Sequence, residues 1–82
     1  MKQVLAVYDA KAEIFTQPIF TIAIGEGVRS FEDEVNNPQS PFSKHPEDYT
    51  LFHLGTYDET SAKFDLLTAP VSLGGALSLK RA

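Results

Sequence analysis

Two histidines are the first candidates for chemistry, because an imidazole can bind a metal or carry a proton. His45 and His53 are the only histidines in the 82 residues, and Asp48 lies between them. A structural zinc site needs four closely placed ligands, and this spacing matches no zinc pattern. We therefore predict no metal site, and we interpret His45 as a turn residue before Pro46 and His53 as a strand residue.

Hydroxyl and carboxylate groups form no catalytic pattern either. Ser40 and Ser43 lie near His45, but no glycine-framed nucleophile motif surrounds them. Three aspartates could pair for acid–base work, namely Asp9, Asp48 and Asp58. Aspartate is also typical of turns, because its carboxylate accepts hydrogen bonds from nearby backbone amides. No glycine-rich segment has the Lys-Ser/Thr pair of a phosphate-binding loop. The sequence predicts neither enzymatic activity nor a cofactor.

Nucleic-acid binding would have to use a local patch, since the net charge of −4 has the wrong sign for general contact with phosphates. The candidate residues are four basic side chains and one tyrosine: Lys11, Arg29, Lys44, His45 and Tyr49. Lys44 and His45 could neutralise phosphate while Tyr49 stacks on a base. In the structural alternative, Pro46 fixes a turn, Asp48 caps it and Tyr49 packs at the sheet edge. Aromatic residues make up 11% of the chain, and most of them are needed for a core.

One segment, residues 25–37, has the pattern of a helix. Val28, Phe31 and Val35 are spaced at i, i+3 and i+7, which places them in one apolar stripe. Asn36 and Asn37 stand before a proline, and this combination is a stop signal for a helix. We predict that this stripe faces the core.

The remaining apolar segments predict strands. Residues 2–8 and 49–54 lack clean alternation, which is typical of central strands. Residues 49–57 and 62–67 read as a β-hairpin joined by residues 58–61, and the alternation around Phe64 and Leu66 predicts a half-buried second strand. A short strand is expected near residues 20–24, and weak alternation suggests strand again at 71–73 and 76–79. The predicted fold class is α+β: a small, mostly antiparallel sheet of about four strands packed against one helix.

The size of the chain bounds its organisation. Eighty-two residues form one domain, residues 1–82, with a modest core, and we expect residues 80–82 to fray. A second copy often covers apolar area that a small domain cannot bury, so we expect a homodimer. There is no cysteine, and no apolar stretch approaches the about 20 residues of a membrane helix.

Four segments together resemble one known protein family. They are residues 7–13 (VYDAKAE), 29–38 (RSFEDEVNNP), 40–52 (SPFSKHPEDYTLF) and 54–58 (LGTYD). In this order and spacing they resemble the small nonstructural protein of gokushovirus-like microviruses, which are single-stranded DNA phages. The resemblance extends over most of residues 4–73, and residues 40–52 are its most specific part.

The resemblance implies a nonstructural role in viral genome replication, in the host cytoplasm. That role would be in the switch from duplex copying to single-stranded DNA synthesis or packaging. It carries over no catalytic residues. We expect either a weak single-stranded DNA binder or an adaptor that joins phage or host replication proteins. The alternative is a protein–protein interaction module with no DNA contact.

Overall fold

The computed structural model describes residues 1–81, and its centre is a five-stranded sheet in the order β2-β1-β4-β5, with β3 also paired to β1. All strand pairs are antiparallel. The strands are β1 (Lys2–Asp9), β2 (Ile14–Phe15), β3 (Ile19–Thr21), β4 (Tyr49–Asp58) and β5 (Lys63–Gly75). The helices are α1 (Ile24–Val35), α2 (Pro41–Lys44) and α3 (Ala76–Leu79), with a single 3₁₀ turn at Pro46–Asp48. The predicted α+β class is confirmed.

Helix α1 forms where the apolar stripe predicted it. Its first turn is closed by Glu26, whose Oε1 accepts a hydrogen bond from the Ile22 amide at 3.0 Å. Its last turn ends at Asn36, whose side-chain amide donates to the Glu32 carbonyl oxygen at 2.8 Å. The Glu32 carbonyl oxygen also accepts a hydrogen bond from the backbone amide of Asn36 at 3.1 Å, so side chains reinforce the backbone at both ends of the helix.

The core lies between α1 and one face of the sheet. Phe31 and Val35 of α1 are buried, as predicted, and Val28 packs at the margin of the same cluster. The sheet and α3 contribute Leu5, Val7, Leu51 and Ala76. Gly27 allows a close approach, because a Cβ there would lie 2.7 Å from Cδ2 of Leu5. A residue with a side chain at this position would force Leu5 to change its packing or α1 to move away from β1.

The β4–β5 hairpin is also confirmed. Asp58 Oδ1 accepts hydrogen bonds from the Thr60 amide at 3.0 Å and from the Thr60 hydroxyl at 2.7 Å. Ala62 closes the turn with a φ of 61°. The prediction that β5 is half-buried was wrong, because Phe64 is 54% exposed and Leu66 is 61% exposed. They alternate with charged residues as expected, but the helices do not lie on the face that they occupy.

Residues 71–79 differ from the predicted pair of weak strands. β5 continues through Gly75, and its register against β4 shifts between Leu66 and Val71 and again at Leu73. Gly74, with a φ of 140°, follows the second shift, and the chain then turns into α3. Ala76 is fully buried in the core, so tertiary packing overrides the weak strand pattern of residues 76–79.

The expectation of a frayed tail does not fit Lys80 and Arg81. Lys80 Nζ donates to the Ser43 carbonyl oxygen at 2.8 Å and to the Ser43 hydroxyl at 2.7 Å. The Arg81 amide donates to Asn36 Oδ1 at 2.7 Å. These bonds fasten the tail to α2 and to the end of α1, which local sequence could not reveal. Ala82 lies outside the described residues.

Candidate nucleic-acid interface

The five residues predicted to bind nucleic acid do not form one patch. Lys11, His45 and Tyr49 line a shallow depression of about 350 Å³. Arg29 is exposed on α1 and Lys44 is exposed at the end of α2, and neither lines this depression. The fold therefore brings three of the five side chains together.

Two carboxylates share the depression with them. Asp9 Oδ1 accepts hydrogen bonds from the Lys11 amide at 3.0 Å and from the Ala12 amide at 3.2 Å. The Ala10 amide donates to the Asp48 carbonyl oxygen at 2.8 Å and holds this turn against the 3₁₀ turn. Asp9 is therefore a turn residue, and its charge opposes the approach of a phosphate.

Tyr49 is positioned by packing on the core side. Its ring centroid lies 4.7 Å from that of Phe42, and Phe42 lies 5.4 Å from Phe31. Burial raises the pKa of the Tyr49 hydroxyl, and the negative charges of Asp9 and Asp48 raise it further. This environment agrees with the structural alternative for Tyr49.

The two histidines have different surroundings. His53 Nε2 is 2.9 Å from Gln3 Oε1 and forms a hydrogen bond between β4 and β1. His45 instead lies beside Glu47 and Asp48, and their candidate ligand atoms lie within 4.8 Å of one another. His45 and Glu47 are exposed, and the three residues belong to one short turn. Exposed acidic groups are common in such turns, so the cluster by itself indicates no metal.

The face of the sheet opposite α1 carries a different set of side chains. Side chains alternate along β1, so Leu5 and Val7 face α1 while Tyr8 points to the other side. Residues on β3, β4 and β5 that face outward-pointing residues across a strand pair lie on this same side of the sheet. We call it the aromatic face, and its rings are Tyr8, Phe15, Phe20, Phe52, Tyr57 and Phe64.

The rings of the aromatic face form two clusters. In the first, the centroid of Phe15 lies 4.9 Å from that of Tyr8 and 5.6 Å from that of Phe52. This cluster covers the part of the sheet where Ala6 is buried.

The second cluster is more open. The centroid of Tyr57 lies 5.6 Å from that of Phe20 and 4.7 Å from that of Phe64. Phe20 is 46% exposed and Phe64 is 54% exposed. A groove of about 510 Å³ runs along these rings, and its lining also includes Lys2, Glu59 and Ala62. Glu59 is paired with the α-amino group of Met1 at 2.6 Å.

The sequence predicted that most aromatic residues belong to the core, and none of these rings was among the candidate site residues. The available signal was the alternation Lys63-Phe64-Asp65-Leu66, which gives the two faces of a strand. It does not say which face meets the helix, and this decides whether Phe64 is buried.

A comparison with models of known protein families identifies the family of this chain. The model of the family described as Phage ORF5 protein matches residues 2–79. The chain belongs to the phage ORF5 protein family. No curated protein and no solved structure matches it. The match includes all five strands and all three helices of this phage protein. Within residues 1–81, none of those helices has the length and apolar character of a membrane span.

Proposed function

We propose that this phage ORF5 protein is a nonstructural protein of a gokushovirus-like microvirus that binds single-stranded DNA weakly during genome replication. The step would be single-stranded DNA synthesis or packaging in the host cytoplasm. Membership of a phage family supports the viral role. The resemblance of residues 40–52 supports the narrower assignment. We infer a role without catalysis, since Ser40 caps α2 and the carboxylates of Asp9 and Asp58 accept hydrogen bonds within turns.

One observation carries the DNA part of the proposal: the exposed rings of Phe20 and Phe64 cluster with half-buried Tyr57 along an open groove. Aromatic rings bind single strands by stacking on bases, at about 1–3 kcal/mol per base. A duplex hides its base faces, so such a surface favours single strands. The groove is a better candidate than the depression around Tyr49, where Asp9 and Asp48 repel phosphate.

Charge limits the expected affinity. Lys2 is the one lysine that lines the groove, and Glu59 at its edge is paired with the α-amino group of Met1. Few phosphates can be neutralised there, so binding should fall only gently as salt concentration rises. We therefore expect weak binding that depends more on stacking than on ion pairing.

The test is a fluorescence titration of labelled oligo-dT and of a matched duplex at low and at moderate salt. We expect binding to the single strand, and Phe64→Ala should weaken it by about tenfold, as loss of one stacked base predicts. Leu77→Ala is the matched control, because Leu77 is 64% exposed on α3 and lies away from the aromatic face.

Two outcomes would contradict direct binding. The first is the absence of single-strand binding at low salt, and the second is an equal loss of affinity in Phe64→Ala and Leu77→Ala. Circular dichroism should show that both variants keep the native fold, which their exposed positions permit.

The second candidate function is a protein–protein interaction module, or an adaptor to replication proteins, without DNA contact. It is favoured by the net charge of −4 and by the carboxylates beside Lys11 and Tyr49. It would gain support if the titration showed no binding, and in that case the exposed rings would be protein contacts.

A further inference from the structure

Strand β5 forms one edge of the sheet. It pairs with β4 on one side only, and no strand of residues 1–81 pairs with its other side. An edge strand presents backbone amides and carbonyls that can pair with another strand. Its regular part is short, because Ala62 closes the turn before it and residues 67–70 fall within a register shift. Pairing through this edge would therefore be centred within residues 63–66.

We propose that two copies of this protein pair through β5, antiparallel, around a two-fold axis at Phe64. A second copy fits this edge because its charges are self-complementary in that register. Lys63 of one copy lies opposite Asp65 of the other, and the same pair recurs on the far side of the axis. Opposite charges and aromatic pairs across neighbouring strands stabilise a sheet.

The exposure of these side chains supports the pairing. Lys63 and Asp65 are both exposed, and neither takes part in a salt bridge within the described chain. They lie on the face of β5 opposite to Phe64, because side chains alternate along a strand. The ion pairs would form on one side of the joined sheet while the two Phe64 rings meet on the other.

Other symmetric registers are less favourable. In an antiparallel pair with a two-fold axis, residues facing each other have the same parity, so the axis lies on one residue. An axis at Asp65 would place two carboxylates opposite each other, and like charges destabilise a strand pair. An axis at Leu66 would leave Lys63 opposite an alanine. Only the axis at Phe64 pairs each charge with its opposite.

The pairing would extend the aromatic face across the dimer. The clusters of Phe20, Tyr57 and Phe64 from two copies would adjoin at the axis and form one continuous aromatic surface. The unpaired backbone edge would be closed by the same contact. Such closed pairing does not propagate, since each copy uses the same edge. This inference does not depend on whether the face binds DNA.

The charges allow a direct test by sedimentation velocity. At high concentration, the molecular mass obtained for the unaltered chain should be twice the 9.0 kDa of a single chain. K63D places two aspartates on each edge and D65K places two lysines there, so each variant alone should lose the dimer. An equimolar mixture should regain it as a heterodimer, since every cross-strand pair is then opposite in charge. K11D is the matched control, because Lys11 is exposed in the turn between β1 and β2.

Three results would overturn the proposal. One is a monomer at every concentration of the unaltered chain, and another is a dimer that K63D and D65K both retain. The third is an open-ended assembly, which would point to pairing of β5 with a different edge. The near-ultraviolet circular dichroism spectra of K63D and D65K should match that of the unaltered chain at a low concentration, where it is a monomer. We expect this because both positions are exposed.

Discussion

The rings of Phe20 and Phe64 lie 6.2 Å apart, centroid to centroid, although their strands β3 and β5 are separated by β1 and β4. Neighbouring strands are about 4.8 Å apart, so three such steps in a flat sheet would keep these rings far from each other. The two side chains therefore converge over the strands between them on the aromatic face. The register of β4 against β5 shifts around Leu54, close to these rings.

Gly55 allows β4 and β5 to approach each other closely beside these rings. Its φ is 153°, and a Cβ there would overlap the carbonyl oxygen of Asp65 and lie 2.7 Å from Cα of Leu66. We predict that Gly55→Ala destabilises the fold by about 2–4 kcal/mol, because backbone must move and the new residue is strained. Urea unfolding monitored by far-ultraviolet circular dichroism measures the change.

Gly25→Ala is the matched control for Gly55→Ala. Gly25 lies in the first turn of α1, and a Cβ there meets nothing within 4 Å. Alanine favours a helix over glycine, so this variant should be unchanged or more stable by up to about 1 kcal/mol. Equal stability of the two variants would mean that β4 and β5 do not approach each other as closely as described.

The hairpin turn gives the protein a contribution to stability that depends on pH. The pKa of Asp58 is lowered, first by the hydrogen bond from the Thr60 side chain and then by the bond from its amide. A carboxyl whose pKa is lower in the folded state stabilises the fold above its unfolded pKa, which is about 3.9. That contribution is lost as the pH falls through the folded-state pKa.

Thr60→Ala tests this relationship. Removal of the hydroxyl should raise the pKa of Asp58 toward its ordinary value, and NMR titration of the carboxyl carbon measures it. Asp58→Asn should make the loss of stability below about pH 4 shallower than in the unaltered chain. Asp33→Asn on α1 serves as the exposed control. A pKa of Asp58 that does not respond to Thr60→Ala would show that the hydroxyl bond is absent in solution.

Substitutions of Tyr49 can distinguish a structural role of this residue from a role in DNA binding. Its ring packs on Phe42 at the core margin, while its hydroxyl lies near Asp9 and Asp48. We predict that Tyr49→Phe keeps both stability and oligonucleotide binding, whereas Tyr49→Ala lowers stability by about 1–3 kcal/mol through lost packing. Thermal unfolding and the oligo-dT titration measure the two effects.

Tyr49→Phe also tests whether the Tyr49 hydroxyl contributes to DNA binding. A selective loss of DNA binding in Tyr49→Phe, with unfolding unchanged, would transfer the proposed interface from the aromatic face to the depression that contains Lys11 and His45. The same loss in Tyr49→Ala alone would not, because that variant also removes core packing.

The sequence alone was sufficient for the elements whose signals are local. The stripe of Val28, Phe31 and Val35 predicts α1, since helical spacing repeats within a few residues. The turn at residues 58–61 predicts the β4–β5 hairpin, since Asp58 bonds to an amide two residues away. These interactions are complete within short segments, and the α+β class follows from them.

Only the tertiary structure decided which surfaces are exposed and which charges meet. Lys11 and His45 share a depression while Arg29 does not, because distant segments are joined by the β1–β4 ladder. Phe64 and Leu66 are exposed because the helices cover the other face of the sheet, and a strand's alternation does not specify its covered side. Burial depends on contacts between segments far apart in the chain, and no local pattern contains that information.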